Sequence, residues 1–245
     1  MPASIPIGKA IIAILKNQPL RRVLIADISI AFAIGVAGST YIFLATWVFN
    51  QAQYASLILL SYFLAGLASM PIWMALAYRV SKHAALACAM VYACLSLLVF
   101  PFVASEGNFV GLLVATVFYG SAATKRKPQD ALPMILRAMM ADLADMDELE
   151  TGTKRAGLFF ALLTTTNKVG AALSVSICYA ILGWIGFDPA APSNSPAATS
   201  GLLWTFVLLP ALFFSIAAIA LWKYPLDRIK HAEIQTGLKE NGHRT

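Results

Sequence analysis

MADLADMDELETGTKRAGLFFALLTTTNK, residues 140–168, is the stretch that decides how this chain is read. Its first part is an acidic run, Asp142, Asp145, Asp147, Glu148 and Glu150, which stops abruptly at Thr151-Gly152-Thr153-Lys154-Arg155. An apolar segment over residues 156–187 follows, long enough to cross a hydrocarbon core about 30 Å thick with some tilt. Lys168 lies deep inside it, about 12 residues or roughly 18 Å from its start at the rise of an α-helix. A charge there costs about 2.5–3.5 kcal/mol on insertion scales, so an intramembrane lysine marks a pathway or a pairing site. The charged residues before it read as a switch-like hinge loop at the membrane surface.

Working outward, the composition agrees with a membrane protein. Hydrophobic residues make up 59% of the chain and charged residues only 12%, against about 25% charged in soluble domains. The charges are segregated, which leaves several windows long enough to span a bilayer. The expected class is an all-α integral membrane protein, and 245 residues suit six or seven spans with no soluble domain left over. A net charge of +6 could point to nucleic acid, but the basic residues cluster at span ends, where they act as topology signals. No nucleic-acid partner is expected. Cys88, Cys94 and Cys178 sit in apolar windows without CxxC or Cys/His spacing, so neither a metal site nor a disulfide framework is expected. The chain also lacks a nucleophile–base pair and a phosphate-binding glycine loop, and an enzyme is not expected.

Residues 1–22 read as a cytoplasmic interfacial segment, with Ile7, Ile11, Ile14 and Leu15 at helical spacing and Gln18-Pro19 stopping the helix. Spans are expected over residues 23–50, 56–78, 84–105, from Asn108 onward, 156–187 and 201–222. Together they form a six-helix unit over 23–226, with a cytoplasmic polar tail at 227–245. Asp27 falls about four residues inside the first span and reads as an interfacial carboxylate favoured by the helix dipole. The fourth span is interrupted by KRKPQD, residues 125–130. Holding that patch at membrane depth is expensive. The preferred reading therefore ends the span there and makes residues 131–143 an amphipathic helix in the loop. Arg21/Arg22, Arg79/Lys82, Lys154/Arg155 and Lys223/Arg228/Lys230 fall on one side, whereas loops 51–55, 106–107 and 188–200 carry no Lys or Arg. Both termini are then cytoplasmic, in the inner membrane.

The segment from Pro71-Ile-Trp73 through Arg79-Val-Ser81-Lys82 resembles a P-x-W…R-x-G-K element of the glycoside–pentoside–hexuronide:cation symporters. These are melibiose permease-like carriers of the major facilitator superfamily. Leu136-Arg137 through Asp142, Asp145 and Asp147, with Thr151-Gly152-Thr-Lys154-Arg155 and Gly157, is similar to that family's loop between transmembrane segments ten and eleven. Lys168-Val-Gly170-Ala-Ala-Leu resembles the start of segment eleven. Ser81, where the family usually has glycine, and the KRKPQD interruption depart from the pattern. The resemblance, over roughly residues 18–226, implies the C-terminal six-helix half of a twelve-helix carrier. It implies coupling to Na⁺ or H⁺, whose main ligands would lie in the complementary N-terminal half. The implied cargo is a sugar or related polar solute, and no other cofactor is implied. A truncated or degenerate fragment, an assembly partner, or a carrier of a lipid or non-sugar metabolite are the alternatives.

Lys168, with Thr164, Thr165 and Asn167 beside it, is the candidate transport-pathway cluster; a structural ion pair is the competing reading. Arg137, Asp142, Asp145, Asp147, Thr151, Gly152 and Arg155 form the candidate cytoplasmic gate, with Arg137 expected near the surface clamping Asp142 or Asp145. A solvated charged loop is the alternative for this group.

Overall fold

The computed structural model describes residues 17–122, 131–222 and 224–225. The interfacial segment expected before residue 17, the KRKPQD patch and the polar tail lie outside the described residues. In chain order the helices are α1 Gln18–Phe43, α2 Ala55–Arg79, α3 Lys82–Leu97, α4 Val99–Val103, α5 Phe109–Ala122, α6 Ala131–Thr151, α7 Ala156–Trp184 and α8 Pro196–Leu221. A π-helical turn, Leu44–Val48, extends α1, and a 3-10 turn, Ala52–Tyr54, leads into α2. Five helical stretches are long and apolar enough to cross a membrane: Gln18–Val48, Ala52–Arg79, Lys82–Val103, Ala156–Trp184 and Pro196–Leu221. α5, equally apolar, has 14 residues, or roughly 21 Å of helix. The architecture is an all-α membrane bundle.

Helix starts differ from the sequence reading in an instructive way. Gln18-Pro19, read as the end of a preceding segment, begins α1. The Asn17 side chain accepts the Leu20 N–H at 3.1 Å, and proline in the first turn lacks a donor that would be unsatisfied there anyway. Ser195 and Pro196 repeat the device at α8, so that helix claims part of the expected outer loop. The acidic run is not a loop either, because α6 continues through Thr151. Its buried residues Ile135, Leu136, Met139, Met140, Leu143 and Ala144 recur at spacings that form one stripe. That stripe packs against α1, α3 and α7, so the amphipathic helix expected over residues 131–143 is longer than read and sets its apolar side on the bundle.

α1 is the central element, packed most extensively against α7 and α8. The α1–α7 contact is close because its residues are small. A Cβ on Gly170 would lie 2.5 Å from the Ile28 carbonyl oxygen, and one on Gly35 would overlap the Ser174 hydroxyl. Without a hydrophobic driving force in lipid, such close approach is how helices gain contact. The two helices run parallel: Asp27 meets Thr166, Ile28 meets Gly170, and Gly35 meets Ser174. On the far side of the bundle, α2 packs on α5 and α3 on α8.

Candidate functional site

Two groups of polar residues stand out, one within the helical bundle and one at its basic end. The first is built on α7. Three successive threonines would weaken a helix in water, yet Thr164 and Thr165 donate back to the Phe160 and Ala161 carbonyls at 2.9 and 2.8 Å. This satisfies their hydroxyls without a partner helix. Thr166 is different. Its hydroxyl lies 2.6 Å from Asp27 Oδ2, closer than to the carbonyls of Leu162 and Leu163, and Asn167 Nδ2 approaches Asp27 Oδ1 at 3.5 Å.

Asp27 itself is only 2% exposed. Because α1 begins at Gln18, the carboxylate lies about 14 Å along the helix and not at its dipole end, so the helix dipole does not account for it. The Arg137 guanidinium of α6 is near enough for its charge to act on Asp27. Arg137 itself is exposed, and the Asp142 carboxylate, one of the two expected partners, is held by Lys82.

α7 buries one stripe, Phe159, Leu163, Gly170, Ser174, Cys178 and Leu182, and leaves the opposite face uncovered. Thr164, Thr165, Asn167 and Lys168 are all exposed on it, with Ala171 and Ala172 beyond. Among the described residues no carboxylate oxygen lies within 4.0 Å of the Lys168 ammonium. The lysine is thus presented outward from α7 and forms no ion pair with a described residue.

The second group closes the basic end. Lys82 at the start of α3 contacts both oxygens of Asp142 at 2.9 and 2.7 Å. Arg155 grips Asp147 with a two-pronged fork, Nε to Oδ2 at 2.9 Å and Nη2 to Oδ1 at 2.6 Å. Their side chains are 15% and 11% exposed. Thr151 donates to the Asp147 carbonyl at 2.7 Å, and Gly152 ends α6 at φ +66°, a left-handed cap that suits glycine. The more exposed Lys154–Glu148 pair is 3.7 Å apart. Asp147, Thr151, Gly152 and Arg155 therefore gather at the end of α6 and the turn into α7, while Asp142 and half-buried Asp145 lie earlier on the same helix. Arg22 Nη1 donates to the Trp222 carbonyl at 2.9 Å, tying the start of α1 to the end of α8.

Sequence reasoning missed the Asp27–Thr166 contact and the Lys82–Asp142 pair. Their partners are 139 and 60 residues apart, beyond any helical spacing. A separate cavity of about 190 Å³ opens between α1, α2 and α5, lined among others by Tyr41, Tyr62, Thr116 and Tyr119. Among the described residues no group of three His, Cys, Asp or Glu side chains is placed to hold a metal.

Comparison with known proteins adds three relatives and a family. A family model described as MFS/sugar transport protein matches residues 2–228. The chain is 25% identical over 223 residues to a glucuronide carrier protein homolog of Escherichia coli K12, covering 89% of this chain and 46% of that protein. It is 32% identical over 114 residues to an uncharacterized symporter of Synechocystis, covering 43% of this chain and 21% of the symporter. It is also 32% identical over 114 residues to an uncharacterized 29.9 kDa protein of Pseudescherichia vulneris, 44% of this chain and 42% of that one. The chain spans less than half the length of each of these relatives.

Proposed function

The chain belongs to the MFS/sugar transport protein family, and we propose that it forms the second six-helix half of a cation-coupled symporter. Its cargo is a sugar or related polar organic solute, carried by alternating access. It works against a complementary six-helix half, on the same or a separate chain, which supplies most ligands for the coupling Na⁺ or H⁺. A solute site then lies near the midplane between the halves, and transport is rocking of one against the other.

The observation that carries this reading is the uncovered face of α7. A helix in lipid that exposes three hydroxyl or amide side chains and an unpaired lysine is incomplete, because intramembrane charges face a bundle interior or a water-filled cavity. Lys168, Thr164, Thr165 and Asn167 line the pathway, and the buried Asp27 behind them holds α7 in register through Thr166. The Arg155–Asp147 fork and the Lys82–Asp142 pair form the cytoplasmic gate elements, with both termini on that side.

Lys168 provides the test, in a reconstituted carrier containing both halves. Lys168→Ala removes an insertion cost of about 2.5–3.5 kcal/mol, so integration is unchanged or improved while gradient-driven uptake per folded molecule falls. Lys168→Arg keeps the charge with a different donor geometry and rescues only partly. Normal uptake per folded molecule in Lys168→Ala overturns the pathway role.

A further inference from the structure

The cavity of about 190 Å³ between α1, α2 and α5 has no part in the two polar groups described above. Its inner wall is a knot of rings. Phe100 of α4, Tyr119 of α5 and Phe206 of α8 lie 4.9 to 6.5 Å apart between centroids, and Tyr62 of α2 meets Tyr119 at 5.6 Å. Gly38, Leu59 and Phe63, the lining residues left exposed, mark its mouth. Among the described residues no charged side chain and no Asn or Gln lines it.

Thr116 of α5 supplies its polar point. Thr40, Thr164, Thr165 and Thr205 each donate to the carbonyl four residues back in their own helix. Thr116 does not. The residue is 2% exposed, and its hydroxyl oxygen has no hydrogen-bond partner among the described residues. The Tyr41 hydroxyl lies within its reach, but that group gives its own proton to the Ala55 carbonyl at 3.2 Å. A buried hydroxyl left unmet is costly. What suits it is a group that both gives and takes a hydrogen bond, as a ligand hydroxyl does.

Size and walls decide which hydroxyl. A dry cavity of about 150 Å³ holds one benzene ring, so this one suits a single six-membered ring. Water is a poor filler, since each molecule needs two to four polar partners and the walls are largely ring carbon. A pyranose brings several hydroxyls, which walls without amide or carboxylate side chains cannot meet in full. An acyl chain matches the walls but not Thr116. An aromatic ring with one hydroxyl matches both, packing against the rings in tilted or edge contact with its oxygen on Thr116.

The mouth also faces a telling side. At 100° per residue, Gly38 and Tyr41 are rotated about −60° and −120° from Gly35, where α1 meets Ser174 of α7. Asn167 and Thr164 are rotated about +20° and +80° from Ser174. Because α1 and α7 run parallel, opposite rotations bring both groups to the same side of the pair. By helix rise, Gly38 lies about 15 Å beyond the level of Asn167, away from the basic end.

We propose that this cavity binds one neutral, phenol-like ring, the aryl end of an amphipathic solute, on the side of the bundle that carries Thr164 and Asn167. The site deepens the transport reading by adding an aromatic ring to the cargo. Binding is measured on the chain alone, so normal uptake in Lys168→Ala would remove the pathway reading and leave this site standing.

Ligand-observed saturation-transfer NMR on the purified chain in nanodiscs tests it, with phenol, toluene and methyl β-glucoside as probes and empty nanodiscs as the blank. Above the blank, phenol binds saturably and more tightly than toluene. Thr116→Val, close in shape but without the hydroxyl, weakens phenol roughly two- to tenfold, the worth of one hydrogen bond, and leaves toluene unchanged. Thr116→Ser keeps the preference. Gly38→Leu, whose side chain starts in open space, closes the mouth and weakens both probes, and any binding of methyl β-glucoside is untouched by these variants. If Gly38→Leu does not fold, Thr116→Val and Thr116→Ser decide. Phenol signal equal to the blank, phenol binding indifferent to Thr116→Val, or methyl β-glucoside binding that Thr116→Val weakens overturns the proposal.

Discussion

Replacing Gly170 with alanine adds one methyl group where α7 lies directly against the backbone of α1. The new Cβ would sit 2.5 Å from the Ile28 carbonyl oxygen, 3.0 Å from the Ala31 Cβ and 3.2 Å from Ile28 Cγ1. A carbon meets a carbonyl oxygen comfortably at about 3.3 Å or more, so the helices must part locally by ~0.8 Å. The obstacle is a backbone carbonyl in mid-helix, which cannot rotate away as a side chain can. Overpacking of this kind costs about 1–3 kcal/mol, set against a propensity gain of up to about 1 kcal/mol for glycine to alanine.

Gly183, on the same helix, separates the two effects because a Cβ there meets nothing within 4 Å. Thermal unfolding of both variants in the same detergent is the assay. Gly170→Ala should melt below Gly183→Ala by the steric part alone, about 2–4 °C per kcal/mol for a chain of this size. Gly35→Ala should also melt below Gly183→Ala, since its new Cβ would overlap the Ser174 hydroxyl and lie 2.8 Å from the Ser174 Cβ. The hydroxyl can turn away by giving up its 2.6 Å bond to the Ala171 carbonyl, but the Ser174 Cβ is fixed to its backbone and cannot. Equal melting of Gly170→Ala and Gly183→Ala would refute the close packing of α1 on α7.

Further predictions concern the basic end. Arg155→Ala strands a nearly buried Asp147 and should lower stability by about 1–3 kcal/mol, partly recovered by Asp147→Ala in the same chain. Lys82→Met, at a pair whose lysine is 40% exposed, should cost less than about 1 kcal/mol and vary with salt; denaturant titration checks both. Burial and the Asp142 carboxylate push the Tyr224 hydroxyl above its ordinary range, with Arg22 pulling the other way, and its oxygen has no partner among the described residues. A raised phenol stabilises the fold below its unfolded pKa, so wild-type stability should decline as pH rises past about 10. Tyr224→Phe should be neutral or slightly stabilising at pH 7 and flatten that decline; parallel curves for the two proteins would exclude the effect. Reporter cysteines at Thr153 and Ser193, both exposed, in a background lacking Cys88, Cys94 and Cys178, test orientation. An impermeant thiol reagent added outside cells should label position 193 and not 153.

What the sequence made legible followed from solvent. Lipid admits only stretches without charge, so the spans could be read from segregation of Lys, Arg, Asp and Glu. Helix starts were harder, because proline is a stop in mid-helix and a start in the first turn. Pro19 was read only as a stop and Pro196 was left in an outer loop, whereas both sit in a first turn; Asn17 and Ser195, two residues and one before them, were the signal for a start. The acidic run misled because charge density was weighed above period. Met139, Met140, Leu143 and Ala144 keep a helical stripe through it. Asp27 was beyond reach in principle, since its environment is made by Thr166, and nothing in either neighbourhood names the other.

The 139-residue separation of Asp27 and Thr166 also has a consequence in time. α1 emerges first among the described helices, yet its principal neighbours, α7 and α8, are the last to be made. At a synthesis rate of about 5–20 residues per second, α1 waits on the order of 10 s before Thr166 exists. For that interval its carboxylate must be carried by the insertion machinery, by water at the interface or by a proton. A factor that shelters α1 during synthesis would change the yield of this protein without touching the finished fold.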